Sequence, residues 1–341
     1  MALAVLADIG GTNTRVALAE GGRVQTATLR RFANAGYAAR GQDIGAILRD
    51  YLAPHAGLRP ETVCVAAAGP VRDGVARMTN LDWVIGADLL RDATGARRVE
   101  VLNDLQAQGH ALGHIAAENL RPLVPAPASG TASGGGHAGA MLVLGLGTGV
   151  NAAPVHGRGA GRVVPASECG HVNMPVRQEA DLRLLRFVEA RLAGQGAPVH
   201  CGIEEVLSGR GLAMLHAFAA DEARVESGVE GPALQSAGVL AALAAGDPVA
   251  IAAARAYTRI LGQVLADLAL IHLPFGGIYL IGGMARAMAP HLVRFGLAEG
   301  FRDLRRVDLL RHHFGVTLIE DDFAALTGCA AWSEALAAAS G

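Results

Sequence analysis

The chain has 341 residues, 51% of them hydrophobic, 4% aromatic and 18% charged, with 45 glycines and a formal net charge of −2. Such a length and apolar content exclude one small domain and a disordered chain, and leave a globular α/β protein with room for two domains. Basic residues are spread along the chain, which excludes the cationic stripe that a nucleic-acid partner requires.

From the N-terminus, residues 3–9 and 15–19 read as strands around a glycine turn, and "EGGR" (20–23) is a second turn leading to a third strand near 24–30. Ile44, Ile47, Leu48, Tyr51 and Leu52 fall at helical spacing, and "VCVAAAG" (63–69) is a buried strand. A short strand near 73–79, a helix near 87–94 and the strand "RRVEVL" ending at Asn103-Asp104 follow. "PAPASGTASGGGHAG" (125–139) reads as an exposed connection without chemistry of its own. The strand "AMLVLGL" then enters "GTGVNAAPV", and helical patterns fill much of 178–272. Strands at 276–283 and 315–320, separated by a helix, precede a closing helix from about 322.

Cys64, Cys169, Cys201 and Cys329 lie far apart with no CxxC pair, which suggests neither a zinc site nor a disulfide framework but free thiols in a reducing cytoplasm. Asp8 interrupts the first apolar run, so no secretory signal forms. The uncharged stretch 138–155 is too rich in glycine and polar residues to suit a membrane helix. These features point to a soluble cytoplasmic protein.

Two turns resemble each other: "DIGGTNTRVAL" (8–18) and "GLGTGVNAA" (145–153) each take an apolar strand into a Gly/Thr turn and straight back out as a strand. Gly-Gly alone favours a tight β-turn. The cluster of Asp8, Thr12, Asn13 and Arg15 around it favours phosphate, because glycine lets backbone N–H groups approach an anion and threonine adds a hydroxyl. Gly145, Gly147 and Gly149 are not a dinucleotide fingerprint, since strand residues and Pro154 follow where that motif needs a helix. A Walker A lysine is absent.

Asn103 and Asp104 stand where a strand ends and a helix starts, a place for a simple N-cap and also the edge where α/β folds put ligands. Glu168 and His171 in "ECGHVNMP", with Glu204 in "GIEEVLSGRG", supply carboxylate and imidazole groups that suit a sugar, whose hydroxyls both donate and accept hydrogen bonds. Glu205 is the weaker neighbour, and a metal site would want a tighter set of His and carboxylate ligands.

In order along the chain, "LADIGGTNTR", "VARMTNLDW" (75–83), "LNDLQA", "GLGTGVN", "ECGHVNMP", "EEVLSGRGL" (204–212) and "IYLIGGM" (278–284) resemble the bacterial glucokinases, ATP-dependent hexose kinases of the actin, Hsp70 and sugar-kinase superfamily. The resemblance implies an α/β, two-lobed ribonuclease H-like fold with a duplicated βββαβα core and an interlobe cleft. It divides the chain into a small domain of 1–114 plus 322–341 and a large domain of 115–321. Asp8, Gly10, Gly11, Thr12 and Asn13 with Gly145, Gly147, Thr148 and Gly149 would hold ATP phosphates, and Gly282 and Gly283 would lie beside adenosine. Asn103, Asp104, Glu168, His171 and Glu204 would hold the sugar, with Asp104 as catalytic base. Asp8 would reach Mg²⁺ through water. D-glucose and ATP are the implied substrates, glucose 6-phosphate of glycolysis the product, and a homodimer the implied assembly, with no nucleic acid or membrane partner.

Departures from the family pattern are Cys169 in place of a second glycine, Asn151 in place of a glycine after the second turn, and "EDDFAALTG" (320–328). They bear on the shape of the sugar and phosphate subsites. A kinase for mannose, glucosamine or fructose, or a non-catalytic sugar sensor, are the alternatives. A cysteine-rich zinc motif and an N-terminal helix-turn-helix, the marks of the sugar-responsive repressors, are missing from the sequence.

Overall fold

A computed structural model of the protein describes residues 3–55, 57–78, 81–126, 139–227 and 234–339. Most of the connection expected at 125–139, together with Thr79 and Asn80 of the "VARMTNLDW" motif, lies outside the described residues. Contacts group the chain into two units, one of residues 1–117, 155–166 and 321–341, the other of 118–154 and 167–320.

In the first unit the strands are β1 (Leu3–Ile9), β2 (Asn13–Glu20), β3 (Arg23–Val24), β4 (Arg30–Ala33), β5 (Thr62–Ala67), β6 (Val71–Arg72), β7 (Val75–Arg77), β8 (Val84–Ile85) and β9 (Arg98–Asn103). Its helices before the second unit are α1 (Asn34–Ala38), α2 (Ile44–Leu52), α3 (Ala87–Thr94) and α4 (Asp104–Ala111). The main sheet runs β3-β2-β1-β5-β9, with β4 also on β2, and β6-β7-β8 form a small second sheet. β1 is antiparallel to β2 and parallel to β5, and β5 is parallel to β9.

Residues of β1 alternate between two cores, as a strand covered on both faces requires. Val5, Ala7 and Ile9 join Ile44, Leu48 and Tyr51 of α2 and Leu90 of α3. Ala4 and Leu6 face Ala107 of α4 and the last helix of the chain, through Leu326, Cys329 and Ala330.

Two expected strands are broken. The strand foreseen near 24–30 splits into β3 and β4, because the Thr28 hydroxyl takes the Leu18 N–H at 2.9 Å and donates to the Gln25 carbonyl at 2.7 Å, replacing ladder bonds with a 3₁₀ turn at Thr26–Thr28. The strand near 73–79 is a hairpin of β6 and β7. Asp73 and Gly74 turn it with φ of 51° and 72°, the two positive values that a type I′ turn needs.

The second unit holds β10 (Leu120–Val124), β11 (Met141–Leu146), β12 (Val150–Val155), β13 (Ile278–Ile281) and β14 (Val316–Ile319) in the order β10-β14-β13-β11-β12. Its helices are α5 (Glu179–Gly194), α6 (Glu204–Leu207), α7 (Gly209–Ser227), α8 (Ser236–Ala244), α9 (Pro248–His272), α10 (Gly283–Arg294), α11 (Leu297–Phe301) and α12 (Leu309–His312). The closing helix α13 (Ala324–Ala339) returns to the first unit. β12-β11-β13-β14 repeats the order of β2-β1-β5-β9: a return strand, a central strand and two parallel strands beyond it. The weak duplication of the two glycine turns is thus a duplication of sheets.

The second core gathers Leu142, Leu144 and Leu146 of β11 with Ile260, Leu261 and Leu265 of α9. α9 starts on Asp247, whose carboxylate accepts the Ala250 N–H at 2.8 Å, with Pro248 in the first turn where its missing N–H costs nothing. Among the described residues no single helix is long and apolar enough to cross a membrane; α8 and α9 pass that test only as a pair bent by 111°.

Candidate active site

In the first unit the glycine turn joins β1 to β2. It is closed by Gly10 N–H to the Asn13 carbonyl at 3.0 Å. Asn34, fully buried at the start of α1, braces it: its amide donates to the Gly10 carbonyl at 2.7 Å, its backbone N–H to the Thr12 carbonyl at 2.9 Å, and its side-chain oxygen accepts from Thr14 Oγ1 at 2.8 Å. A turn whose carbonyls are already satisfied is what an anion-binding N–H cradle needs. Thr12 stays exposed.

Asp8 lies opposite Arg15 across the β1-β2 hairpin, and the two pair at 3.3 Å. Burial pushes the Asp8 carboxyl above its ordinary value, and Arg15 offsets part of that. Arg15 also donates to the Asp322 carbonyl at 3.1 Å, which fixes the side of the hairpin on which its charge sits.

Asn103 ends β9 and caps α4, as the simpler reading of its position holds. Its side-chain oxygen accepts the Leu105 N–H at 3.0 Å, and the Gln106 side chain returns the favour by accepting the Asn103 N–H at 3.1 Å. Asn103 Nδ2 donates to the Gly69 carbonyl at 3.0 Å, and Gln106 Nε2 to the Val164 carbonyl at 2.8 Å. Asp104, first residue of α4, accepts the Leu105 N–H at 2.8 Å. Burial raises its carboxyl to about 6, against that hydrogen bond, and the negative charge of Asp8 adds to the rise. The pairing Ile9↔Ala67↔Asn103 sets the ends of β1 and β9 level, two strand spacings or roughly 10 Å apart. Asp8, Gly10–Asn13, Asn103 and Asp104 therefore share one sheet edge.

In the second unit the turn Gly147–Gly149 joins β11 to β12 and is closed by Gly147 N–H to the Gly149 carbonyl at 2.9 Å. Glu204, at the start of α6, lies against it. Its Oε2 accepts the Val150 N–H at 2.8 Å, and a Cβ at position 149 would come within 2.7 Å of that oxygen. Arg210 completes the group, donating to Glu204 Oε1 at 2.5 Å, to Glu205 at 2.8 Å and to the Thr148 carbonyl at 3.3 Å.

Glu168 precedes the 3₁₀ turn Cys169–His171 and His171 ends it, both exposed, with the His171 N–H donating to the Glu168 carbonyl at 3.1 Å. That turn is tied to β12 by Asn151. Its Oδ1 accepts from Cys169 N–H at 3.1 Å and Ser167 Oγ at 3.0 Å, and its Nδ2 donates to the Ser167 carbonyl. Gly282, with φ of 108°, ends β13 against the Leu146 carbonyl, where no side chain fits, and Gly283 opens α10. Gly145↔Ile281 pairing puts this turn beside the one at Gly147. Gly145–Gly149, Glu168, His171, Glu204 and Gly282–Gly283 thus gather at one end of the second sheet.

The Glucokinase family model matches residues 5–336. The chain belongs to the glucokinase family. A glucokinase of Caulobacter vibrioides (strain NA1000 / CB15N) is 31% identical over 332 residues, 96% of this chain and 94% of the relative. Among solved structures, a glucokinase from an Antarctic psychrotroph has a TM-score of 0.81 at 25% identity, covering 97% of this chain and 98% of that one. A glucokinase of the ROK family from Streptomyces griseus, in complex with glucose and AMPPNP, has a TM-score of 0.59 at 22% identity over 96% and 98% of the two chains, a likeness of fold. The α/β architecture with its repeated sheet is accordingly the actin-like ATPase fold of the glucokinases.

Asn34, Gln106 and Arg210 are the residues that sequence reasoning did not single out. Asn34 braces the first turn from outside its motif; Gln106 lies within "LNDLQA", where its spacing from Asn103 is a capping-box signal, and Arg210 lies within "EEVLSGRGL" but braces the distant Gly147–Gly149 turn. Asn151, read as a departure from the family, is a tether of the Glu168 turn.

Proposed function

We propose that the chain transfers the γ-phosphoryl group of ATP to the 6-hydroxyl of D-glucose, with Asp104 as the general base. The observation that carries the assignment of the base is the place of Asp104, a half-buried carboxylate at a helix start on the same sheet edge as the first glycine turn, with its pKa raised by desolvation to about 6. A base must be ionised at working pH yet hold a proton well enough to draw it from a hydroxyl, and a value near neutrality serves both needs.

Asp104 orients the 6-hydroxyl and takes its proton as the new P–O bond forms. Asn103, Glu168, His171 and Glu204 hold the other hydroxyls, and a sugar lacking the hydroxyl at Glu204, whose side chain is 16% exposed, leaves that group unpaired at about 1–3 kcal/mol. N–H donors of the Gly10–Asn13 and Gly147–Gly149 turns, other than the Gly10 and Gly147 N–H groups that close them, stabilise charge on the phosphoryl oxygens, and Gly282-Gly283 gives the adenosine room.

Among the described residues there is no group of three or more His, Cys, Asp or Glu side chains that could hold a metal. The single carboxylate of Asp8 beside the first glycine turn fits Mg²⁺ arriving on ATP with most of its waters, since Mg²⁺ is commonly bound by one or two carboxylates plus substrate phosphates. Asp8, whose charge is felt at Asp104, would meet it through water. Bound there, Mg²⁺ would neutralise charge on the phosphates. The reading includes a cytoplasmic homodimer, supported by the family resemblance and by four free cysteines, which suit a reducing compartment.

The direct test is phosphorus NMR of the product from ATP and glucose. Glucose 6-phosphate from the wild type and its loss in Asp104→Ala are expected; an active Asp104→Ala enzyme would refute the base.

A further inference from the structure

Arg210 has no part in the reading above, yet it touches both of the groups that the second unit brings together. Its fork donates to Glu204 Oε1 at 2.5 Å and to the Thr148 carbonyl at 3.3 Å. Glu204 in turn accepts the Val150 N–H at 2.8 Å through its other oxygen. The preceding residue supports the same contact: Gly209 N–H donates to the Gly147 carbonyl at 2.8 Å.

These bonds form a closed circuit through peptide groups. The Thr148 carbonyl and the Gly149 N–H are two ends of one peptide, and so are the Gly149 carbonyl and the Val150 N–H. A phosphate accepting from Gly149 N–H polarises the first peptide and strengthens the bond from its carbonyl to Arg210. Arg210 is thereby held in place, and with it the Glu204 carboxylate, whose other oxygen holds the second peptide through Val150 N–H; the carbonyl of that peptide is bonded to Gly147 N–H at 2.9 Å. From Arg210 onward the tie is one of position rather than of polarisation, because Arg210 only donates and Glu204 only accepts. The Glu204 side chain is 16% exposed and that of Arg210 52%.

The fork also decides what Glu204 offers a sugar. A carboxylate accepts about four hydrogen bonds. Arg210 and Val150 each take one, on different oxygens, so the directions left for sugar hydroxyls are set by where those two partners stand. A lysine, with one point charge, could not reach Glu204 and Thr148 with the same planar geometry.

We infer that Arg210 is a positioning residue that couples hexose binding at Glu204 to ATP binding at the Gly147–Gly149 turn. This inference rests on the proposed roles of Glu204 and of that turn. Coupling of this kind is reciprocal, so each ligand tightens the other by the same factor.

The test is calorimetric titration of glucose with and without AMPPNP, on the wild type, Arg210→Met and Arg210→Lys. In the wild type AMPPNP lowers the glucose Kd by about 5-fold or more. In Arg210→Met the ratio falls to near 1, with KM for both substrates rising more than kcat falls; Arg210→Lys lies between, and stands in if the methionine variant does not fold. A wild-type ratio in Arg210→Met overturns the inference. Glucose binding by the wild type with no effect of AMPPNP overturns it too while leaving the kinase reading intact. A wild type that binds no glucose at all overturns both.

Discussion

Gly328 of α13 packs directly on the backbone of Ala107 in α4, and a Cβ at position 328 would overlap the Ala107 carbonyl. α4 opens on Asp104, so this contact fixes the helix that carries the proposed base. Gly328→Ala forces the two helices apart. Overpacking of this kind costs about 3 kcal/mol, and the displacement reaches Asp104. Thermal unfolding should show a lowered Tm and a steady-state assay a lowered kcat; an unchanged Tm would contradict the packing described.

Asp104 also sets a pH dependence. Its folded pKa of about 6 lies above the ordinary carboxylate value of 3.8, so the folded protein holds this proton more tightly than the unfolded chain. The stabilisation is complete below the unfolded value and is lost as pH rises through about 6, on the order of 3 kcal/mol in all. Asp104→Asn, which keeps an acceptor for the Leu105 N–H, should therefore be more stable than the wild type at pH 8 while turning over 10²–10⁴-fold more slowly, roughly the contribution of a general base. The wild-type kcat/KM should fall as pH drops below about 6. Melting curves and pH–rate profiles of the two proteins check both halves.

His110 acts with the opposite sign. It is buried against Trp332, ring centroids 4.4 Å apart, and burial together with Arg162 pushes it down to about 4. The folded protein holds His110 neutral, so stability is full above the unfolded value of 6.5 and is lost as pH falls through about 4. His110→Phe keeps a ring against Trp332 and removes the titration. Urea unfolding at pH 7, 5 and 4 should show a shallower acid loss for the variant, by on the order of 3 kcal/mol at the lowest pH; parallel curves would assign the acid limb to other groups.

Asn151 makes the sugar subsite testable apart from the chemistry. It ties Ser167 and Cys169 to β12 on either side of Glu168. Asn151→Gly releases that turn, and at about 1 kcal/mol for each of the three bonds the KM for glucose should rise by up to about 100-fold with a smaller change in kcat. Equal KM values would mean that the turn holds its shape without Asn151.

These cases show what the sequence could and could not disclose. β1 was legible as a continuous apolar run, because both its faces are covered, and α2 because it buries one face at helical spacing through Ile44, Ile47, Leu48 and Tyr51. The break between β3 and β4 was not, because one hydroxyl, that of Thr28, decides it through a partner on another strand. The candidate site was legible where chemistry is concentrated in a short motif, as at Asp8–Asn13 and Asn103-Asp104. It was not where a brace comes from elsewhere in the chain: Asn34 reaches back to Gly10, and Arg210 to Thr148. Such contacts have no local period and no composition of their own. Asn103 carried two readings in the sequence, and the structure makes it a helix cap whose cap bonds place Asp104 beside it.

The measurement that bears most directly on the whole account is ATP-dependent turnover across a panel of glucose, mannose, glucosamine and fructose, followed by coupled ADP release. The account predicts the highest kcat/KM for glucose, with glucose 6-phosphate as product. A flat or fructose-led profile, or binding without any phosphorylated sugar, would contradict it.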